Sequence, residues 1–131
     1  MKIFLQYFKW VMLASDFLTC TMFLGLVSPE SSLQSNFGES MDPRPVSNII
    51  VRNWSALIGL TGITLIYGAF VPTVRSFVLL IAGLGKIIFI TLVLSFGKEY
   101  LSFGAGTAVI ADSVMIILFI TYLLFSGTAK P

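Results

Sequence analysis

Histidine is absent from the chain and cysteine occurs once, at Cys20. The first absence removes imidazole acid–base work, haem ligation by histidine and the usual zinc and iron sites. The second removes an intramolecular disulfide, a CxxC redox pair and a thiolate metal cluster. Charge is scarce too: Asp, Glu, Lys and Arg make up 11% of 131 residues, against roughly a quarter in soluble domains. No basic patch is present to follow a phosphate backbone, so nucleic acid is not a partner. Apolar residues fill the chain instead, at 56% with a mean hydropathy of +0.96, and the soluble class is thereby excluded.

A membrane-crossing helix needs about 20 apolar residues at 1.5 Å rise to cover roughly 30 Å of hydrocarbon. Four windows qualify, at about 4–27, 49–70, 77–96 and 107–125. They predict an all-α membrane protein in which residues 1–131 form a single transmembrane domain, with four transmembrane helices in an antiparallel up-down bundle. The connections are too short for a soluble catalytic domain, so any chemistry takes place within the bundle or at its two faces. Lys2 and Lys9 precede the first apolar window as in a signal peptide, but the window is too long and no A-x-A site follows, so it is expected to stay as a helix. Lys2, Lys9, Arg75 and Lys130 fall on the side of the termini and Arg44, Arg52 and Lys98 on the other. That small excess predicts cytoplasmic termini.

The one sizeable extramembrane stretch is 28–48. Ser28-Pro29-Glu30 reads as a helix start with a capping serine, Gly38 as its end, and Asp42-Pro43-Arg44-Pro45 as an extended or turning path. Two arrangements fit: a connector on the membrane surface with Leu33 and Phe37 dipping into lipid, or a lid over a cavity. In the short connection 71–76 Pro72 stops the helix before it and Arg75 marks the interface, whereas 97–106 turns on three glycines and sets Tyr100 at headgroup level. Trp54 reads as an interfacial anchor.

Lys86 stands alone as a charge near the middle of 77–96, about 15 Å from either end, and Asp112 lies about 8 Å inside the fourth window. Their depths differ by roughly 6 Å, within reach of a lysine stem. Asp16 lies halfway along the first window, matching Lys86 in depth and sharing a stripe with Thr19 and Cys20. Ala82 and Gly83, one turn before Lys86, are small, as at helix contacts in membranes. On the second helix Ser55, Gly59 and Gly62 form a small-residue groove, while Thr61, Thr64 and Tyr67 offer hydroxyls on an adjacent face. Arg52 opens that helix within reach of a carboxylate. Charges at such depth cost about 2.5–3.5 kcal/mol each on insertion scales, so partners are needed. One reading is a Lys86–Asp112 pair that locks the register, with Asp16 protonated or bonded to hydroxyls; the other is a proton relay or a site for an anion or polar headgroup.

No catalytic constellation is legible. Asp16 and Asp112 are single acids on separate helices without the Glu-x-x-His pattern of di-iron bundles, so no metal or cofactor is expected. Arg52-Asn53-Trp54-Ser55-Ala56-Leu57-Ile58-Gly59 runs into Gly62 and Leu65-Ile66-Tyr67-Gly68-Ala69-Phe70, followed by Arg75, Gly85-Lys86-Ile87-Ile88-Phe89-Ile90 and Asp112. Through these residues the stretch 45–125 resembles the DoxX-like small four-helix integral membrane proteins, largely uncharacterised bacterial families. The resemblance implies an arginine-opened second helix, an intramembrane lysine and aspartate on the last two helices, and residence in a bacterial inner (cytoplasmic) membrane. Some relatives are linked to redox or thiol metabolism, a role that the single Cys20 does not carry over.

The function expected first is that of a non-catalytic accessory or oligomerising subunit, partnered by the lipid bilayer and by copies of itself or a larger membrane complex. The alternative is a small-molecule or proton-coupled binding or transport protein. In that case Lys86, Asp112, Asp16, Arg52 and Tyr67 surround a pocket for a small hydrophobic or anionic ligand. A membrane enzyme acting on lipid or quinone rests only on analogy with other small bundles. A pocket beside the charges favours the alternatives, and a dry ion pair counts against them.

Overall fold

The computed structural model of the chain describes residues 1–127, which leaves Lys130 outside the described residues. Four helices are long and apolar enough to cross a membrane: Lys2–Val27, Pro45–Phe70, Pro72–Phe96 and Gly104–Ser126. They form an all-α bundle, and the chain is a multi-pass integral membrane protein. Large side chains such as Phe17, Leu57, Ile63, Phe77, Ile88 and Ile117 point outward, as a lipid solvent requires. Outward threonines return their hydroxyls to their own helix, Thr91 to the Ile87 carbonyl at 2.8 Å and Thr121 to Ile117 at 2.7 Å. Neither hydroxyl hydrogen is thereby left to the hydrocarbon.

Proline sets three helix starts. Pro29, Pro45 and Pro72 each occupy a first turn, where the missing N–H costs nothing and φ is already helical. The second spanning helix consequently begins four residues before the expected 49. Pro72 stops the second helix and also begins the third, so the expected connection 71–76 shrinks to Val71 (φ −118°, ψ 89°) between Phe70 and Pro72. The fourth helix opens at Gly104, after a 3₁₀ turn at Lys98–Ser102. In the first helix the α-helical part Lys2–Cys20 tightens into a 3₁₀ turn at Thr21–Phe23 before its last turn.

Each spanning helix packs on the next, and the fourth returns to the first only over a short stretch. That closure is aromatic and lies near the termini: Phe8 stacks on Tyr122 with ring centroids 4.2 Å apart and meets Phe119 edge-on at 6.5 Å. Around it Phe8, Met12, Leu65, Leu79, Met115 and Phe119 form a solid core. The first and second helices approach closely along the expected small-residue groove. A Cβ on Gly62 would stand 2.6 Å from Cys20 Sγ and 3.1 Å from the Cys20 backbone nitrogen, and one on Gly59 would stand 2.7 Å from the Phe23 ring. The groove is therefore filled by the chain's own first helix.

Arg75 departs from its expected place at the interface. It is buried, and it donates from Nε to the Gly68 carbonyl (3.0 Å) and from Nη2 to the Ala69 carbonyl (2.8 Å). These carbonyls are left open where the second helix ends. Arg75 also lies over the Tyr122 ring.

The extramembrane helix Pro29–Phe37 ends at Gly38 in the left-handed conformation (φ 67°), as expected. Ser28 stands at its N-cap but makes no side-chain cap bond, so Pro29 fixes the start. The helix folds over the bundle instead of lying out in lipid. Phe37 packs on Trp54 (5.9 Å between centroids) and edge-on against Tyr100 (5.3 Å). Trp54, expected as an anchor facing headgroups, is half-buried beneath it.

Candidate functional site

Where the core stops, a hollow begins. A cavity of about 310 Å³ occupies the half of the bundle nearest the Pro29–Phe37 helix and draws its walls from all four spanning helices. Ala82 and Met115 belong both to the core and to the cavity wall. Lys86 and Asp112 stand at the same level, and Asn36 and Phe37 line the cavity from the lid helix.

Lys86 is carried inward by the packed face of the third helix, where Ala82 and Gly83 are buried one turn before it. Its Nζ donates to Asp112 Oδ1 at 2.7 Å and to Thr19 Oγ1 at 3.4 Å. The Thr19 hydroxyl donates in turn to the Ser15 carbonyl at 2.7 Å, which leaves its lone pairs for the ammonium. The two charged side chains retain 10% and 16% of their exposure, so the pair is largely but not wholly desolvated. An ammonium has three N–H donors and a carboxylate about four acceptor positions. Among the described residues one donor of Lys86 and the second oxygen of Asp112 have no protein partner. Ser55 Oγ is the one fully buried side-chain polar atom without a partner among the described residues. Asp112 Oδ2 is therefore not sealed in protein, and Asp112 lines the cavity.

The other candidates lie elsewhere. Asp16 matches Lys86 in depth but faces the second helix: a Cβ on Gly62 would lie 3.3 Å from its Oδ1, and that oxygen accepts from the Cys20 thiol at 3.0 Å. The expected hydroxyl partner is thus a thiol one turn along the same helix. Among the described residues Arg52 reaches no carboxylate; its Nε donates to Asn48 Oδ1 at 2.5 Å and its Nη1 to the Leu26 carbonyl, tying the second helix to the end of the first. Tyr67 is 57% exposed on the outer face and does not line the cavity. The site is therefore Lys86 and Asp112 with Thr19, Thr61, Thr107 and Asn36 as further polar groups. Sequence reasoning placed Thr19 on the stripe of Asp16 but not in the site, and missed Asn36 and Thr107 altogether. The lid reading of 28–48 was the one signal for Asn36.

Comparison with protein-family models, with curated proteins and with solved structures gives no match to this chain. What the site can do therefore follows from its own chemistry. Among the described residues no three of His, Cys, Asp and Glu converge as a metal site would need. The Lys86–Asp112 pair is neutral as a unit. A singly charged guest would bring an uncompensated charge to the middle of the bundle, at about 2.5–3.5 kcal/mol, whereas an uncharged group that both donates and accepts can meet the open N–H and Oδ2 together.

The roof is held by polar contacts outside the membrane. Tyr100 Oη donates to Glu39 Oε1 at 3.4 Å, and the charge of Glu39 above all holds the phenol above its ordinary value. Gly104 lets the lid lie close: a Cβ there would stand 2.9 Å from the Ser35 carbonyl oxygen.

Proposed function

We propose that this membrane protein binds a small uncharged amphiphile inside its bundle, with the polar head on Lys86 and Asp112 and without catalysis. One observation carries the reading: a cavity of about 310 Å³ opens on a buried ion pair whose hydrogen-bonding capacity is not used up. The volume lies at the lower end of ligand pockets, which are mostly apolar with a few convergent polar groups. The accessory-subunit reading loses one support, because the small-residue groove is occupied within the chain. The DoxX-like resemblance stands as part of the proposal, supported by an arginine-opened second helix and a Lys–Asp pair on the last two. Cytoplasmic termini draw no support from Arg75, whose guanidinium caps carbonyls inside the bundle.

The test uses tryptophan fluorescence. The chain has two tryptophans, Trp10 and Trp54, and Trp54 lines the cavity. In a Trp10→Phe variant in nanodiscs, a dodecyl alcohol brominated beside its hydroxyl should quench Trp54 saturably, and Lys86→Met with Asp112→Leu should abolish the saturation. Quenching that rises only linearly with membrane loading, and equally in both proteins, would show simple partitioning and end the proposal.

A further inference from the structure

Lys9 stands at the level where the second helix ends. Its Nζ lies over the ring of Phe70, the final residue of that helix, 5.3 Å from the centroid, and over its own neighbour Trp10 at 5.2 Å. Both rings are 62% exposed on the outer surface. Ring faces attract an ammonium, but they do not neutralise it and they offer its three N–H groups no oxygen. The carbonyls at this helix end are already engaged: Tyr67 accepts from the Val71 N–H at 2.9 Å, and Gly68 and Ala69 accept from Arg75. Among the described residues Lys9 has no hydrogen-bond or ion-pair partner. Charge is also divided unevenly between the two ends of the bundle. Of the six acids in the chain, Glu30, Glu39, Asp42 and Glu99 lie in the connections on the lid side and Asp16 and Asp112 lie within helices. The side of the termini has no Asp or Glu, and it carries Lys2 and Lys9.

We infer that Lys9, between Trp10 and Phe70, holds the phosphate of an anionic phospholipid at the end of the bundle that carries the termini. A phosphodiester supplies both the missing negative charge and the missing acceptor oxygens. The two exposed rings stand at that level as interfacial aromatics do, and the lysine stem runs along them to set its ammonium among the headgroups. The choice of headgroup follows from where the acids lie. A choline or ethanolamine headgroup brings a cation of its own, which on the lid side has four carboxylates to meet and here meets Lys2 and Lys9. A glycerol headgroup brings none. The site therefore selects phosphatidylglycerol over phosphatidylcholine, and it does so at the opposite end of the bundle from the lid, independently of the Lys86–Asp112 cavity.

Phospholipids with brominated acyl chains test this on the full chain. The protein is placed in mixed bilayers of phosphatidylcholine and phosphatidylglycerol in which one lipid or the other carries the bromine, and Trp10 is read in a Trp54→Phe background. Quenching should give phosphatidylglycerol an advantage of about fivefold at Trp10, the preference expected of one lysine beside an anionic headgroup. Lys9→Gln should bring the two lipids level, and Lys9→Arg should keep the preference because a guanidinium also binds phosphate. Lys9 is half-buried and lies outside the core, so these variants leave the fold intact. Lys2→Gln removes the same charge from the same side and should preserve most of the preference. Equal quenching by the two lipids at Trp10, or a preference that survives Lys9→Gln, would overturn the site. A loss as large in Lys2→Gln, or the same preference at Trp54 in a Trp10→Phe background, would assign the effect to diffuse charge and overturn it as well.

Discussion

Lys86 Nζ and Asp112 Oδ1 stand 2.7 Å apart on neighbouring helices, with Thr19 on a third helix 3.4 Å from the same ammonium. One lysine thus joins three of the four spanning helices at the depth where the solid core gives way to a cavity. Attraction between such buried charges is offset by their desolvation, so the pair need not add net stability. Removing one partner is different, because it strands the other.

Lys86→Met alone should destabilise the bundle by about 3 kcal/mol, the loss expected when a buried charge is left unpaired. Lys86→Met with Asp112→Leu should recover most of it. Thermal unfolding of the three proteins in one detergent measures the difference, and a double variant no more stable than the single would show that the pair does not carry this coupling.

Gly62→Ala should push the first two helices apart, since the new Cβ meets both the Cys20 thiol and its backbone nitrogen. Overpacking of this kind costs about 1–3 kcal/mol. Gly85→Ala is the matched control on the third helix, where a Cβ meets nothing within 4 Å; its melting temperature should not fall below that of the parent, since alanine suits a helix interior better than glycine.

Arg75→Leu strips the Gly68 and Ala69 carbonyls of their donors at the end of the second helix. Hydrogen bonds to a charged group contribute about 1.5–3 kcal/mol, and the loss should be of that order. Amide exchange should rise locally around residues 67–71, with Arg75→Lys intermediate because an ammonium cannot span both carbonyls as the guanidinium fork does. Unchanged exchange there would refute the capping role.

The roof should respond to alkaline pH. Tyr100 has its phenol raised above 10.0, first by the charge of Glu39. A raised folded value means that the contribution of the neutral phenol is complete below the unfolded value near pH 10 and is lost as pH climbs through the higher folded one. In the Trp10→Phe background, acrylamide quenching of Trp54 should therefore increase above about pH 10, and Tyr100→Phe should remove the pH step. A step that survives in the Phe variant would assign the titration to another group.

Much of the architecture was legible because its signals are local. Apolar run length located all four spans, Pro29 and Gly38 bounded the lid helix, and Ser55, Gly59 and Gly62 marked where another helix would lie. Errors in the boundaries trace to proline. Pro72 forbids helix at the residue before it yet suits the first turn of the next helix, so a stop signal was also a start and Arg75 moved from a loop into a helix.

Depth and direction separate what the chain encodes by itself from what folding adds. Residue spacing at 1.5 Å per position put Lys86, Asp112 and Asp16 at comparable levels, and that much the sequence determined alone. Which of them meet depends on how far each helix is rotated about its axis, and this is set by side chains on the other helices. Packing of Gly62 on the first helix turned Asp16 towards the second helix, so that Thr19 faces Lys86. The same rotations left Tyr67 in lipid and brought Phe37 over Trp54. The cavity has no sequence signature at all, since it is the space that four helices and a lid do not fill, and only their joint placement creates it.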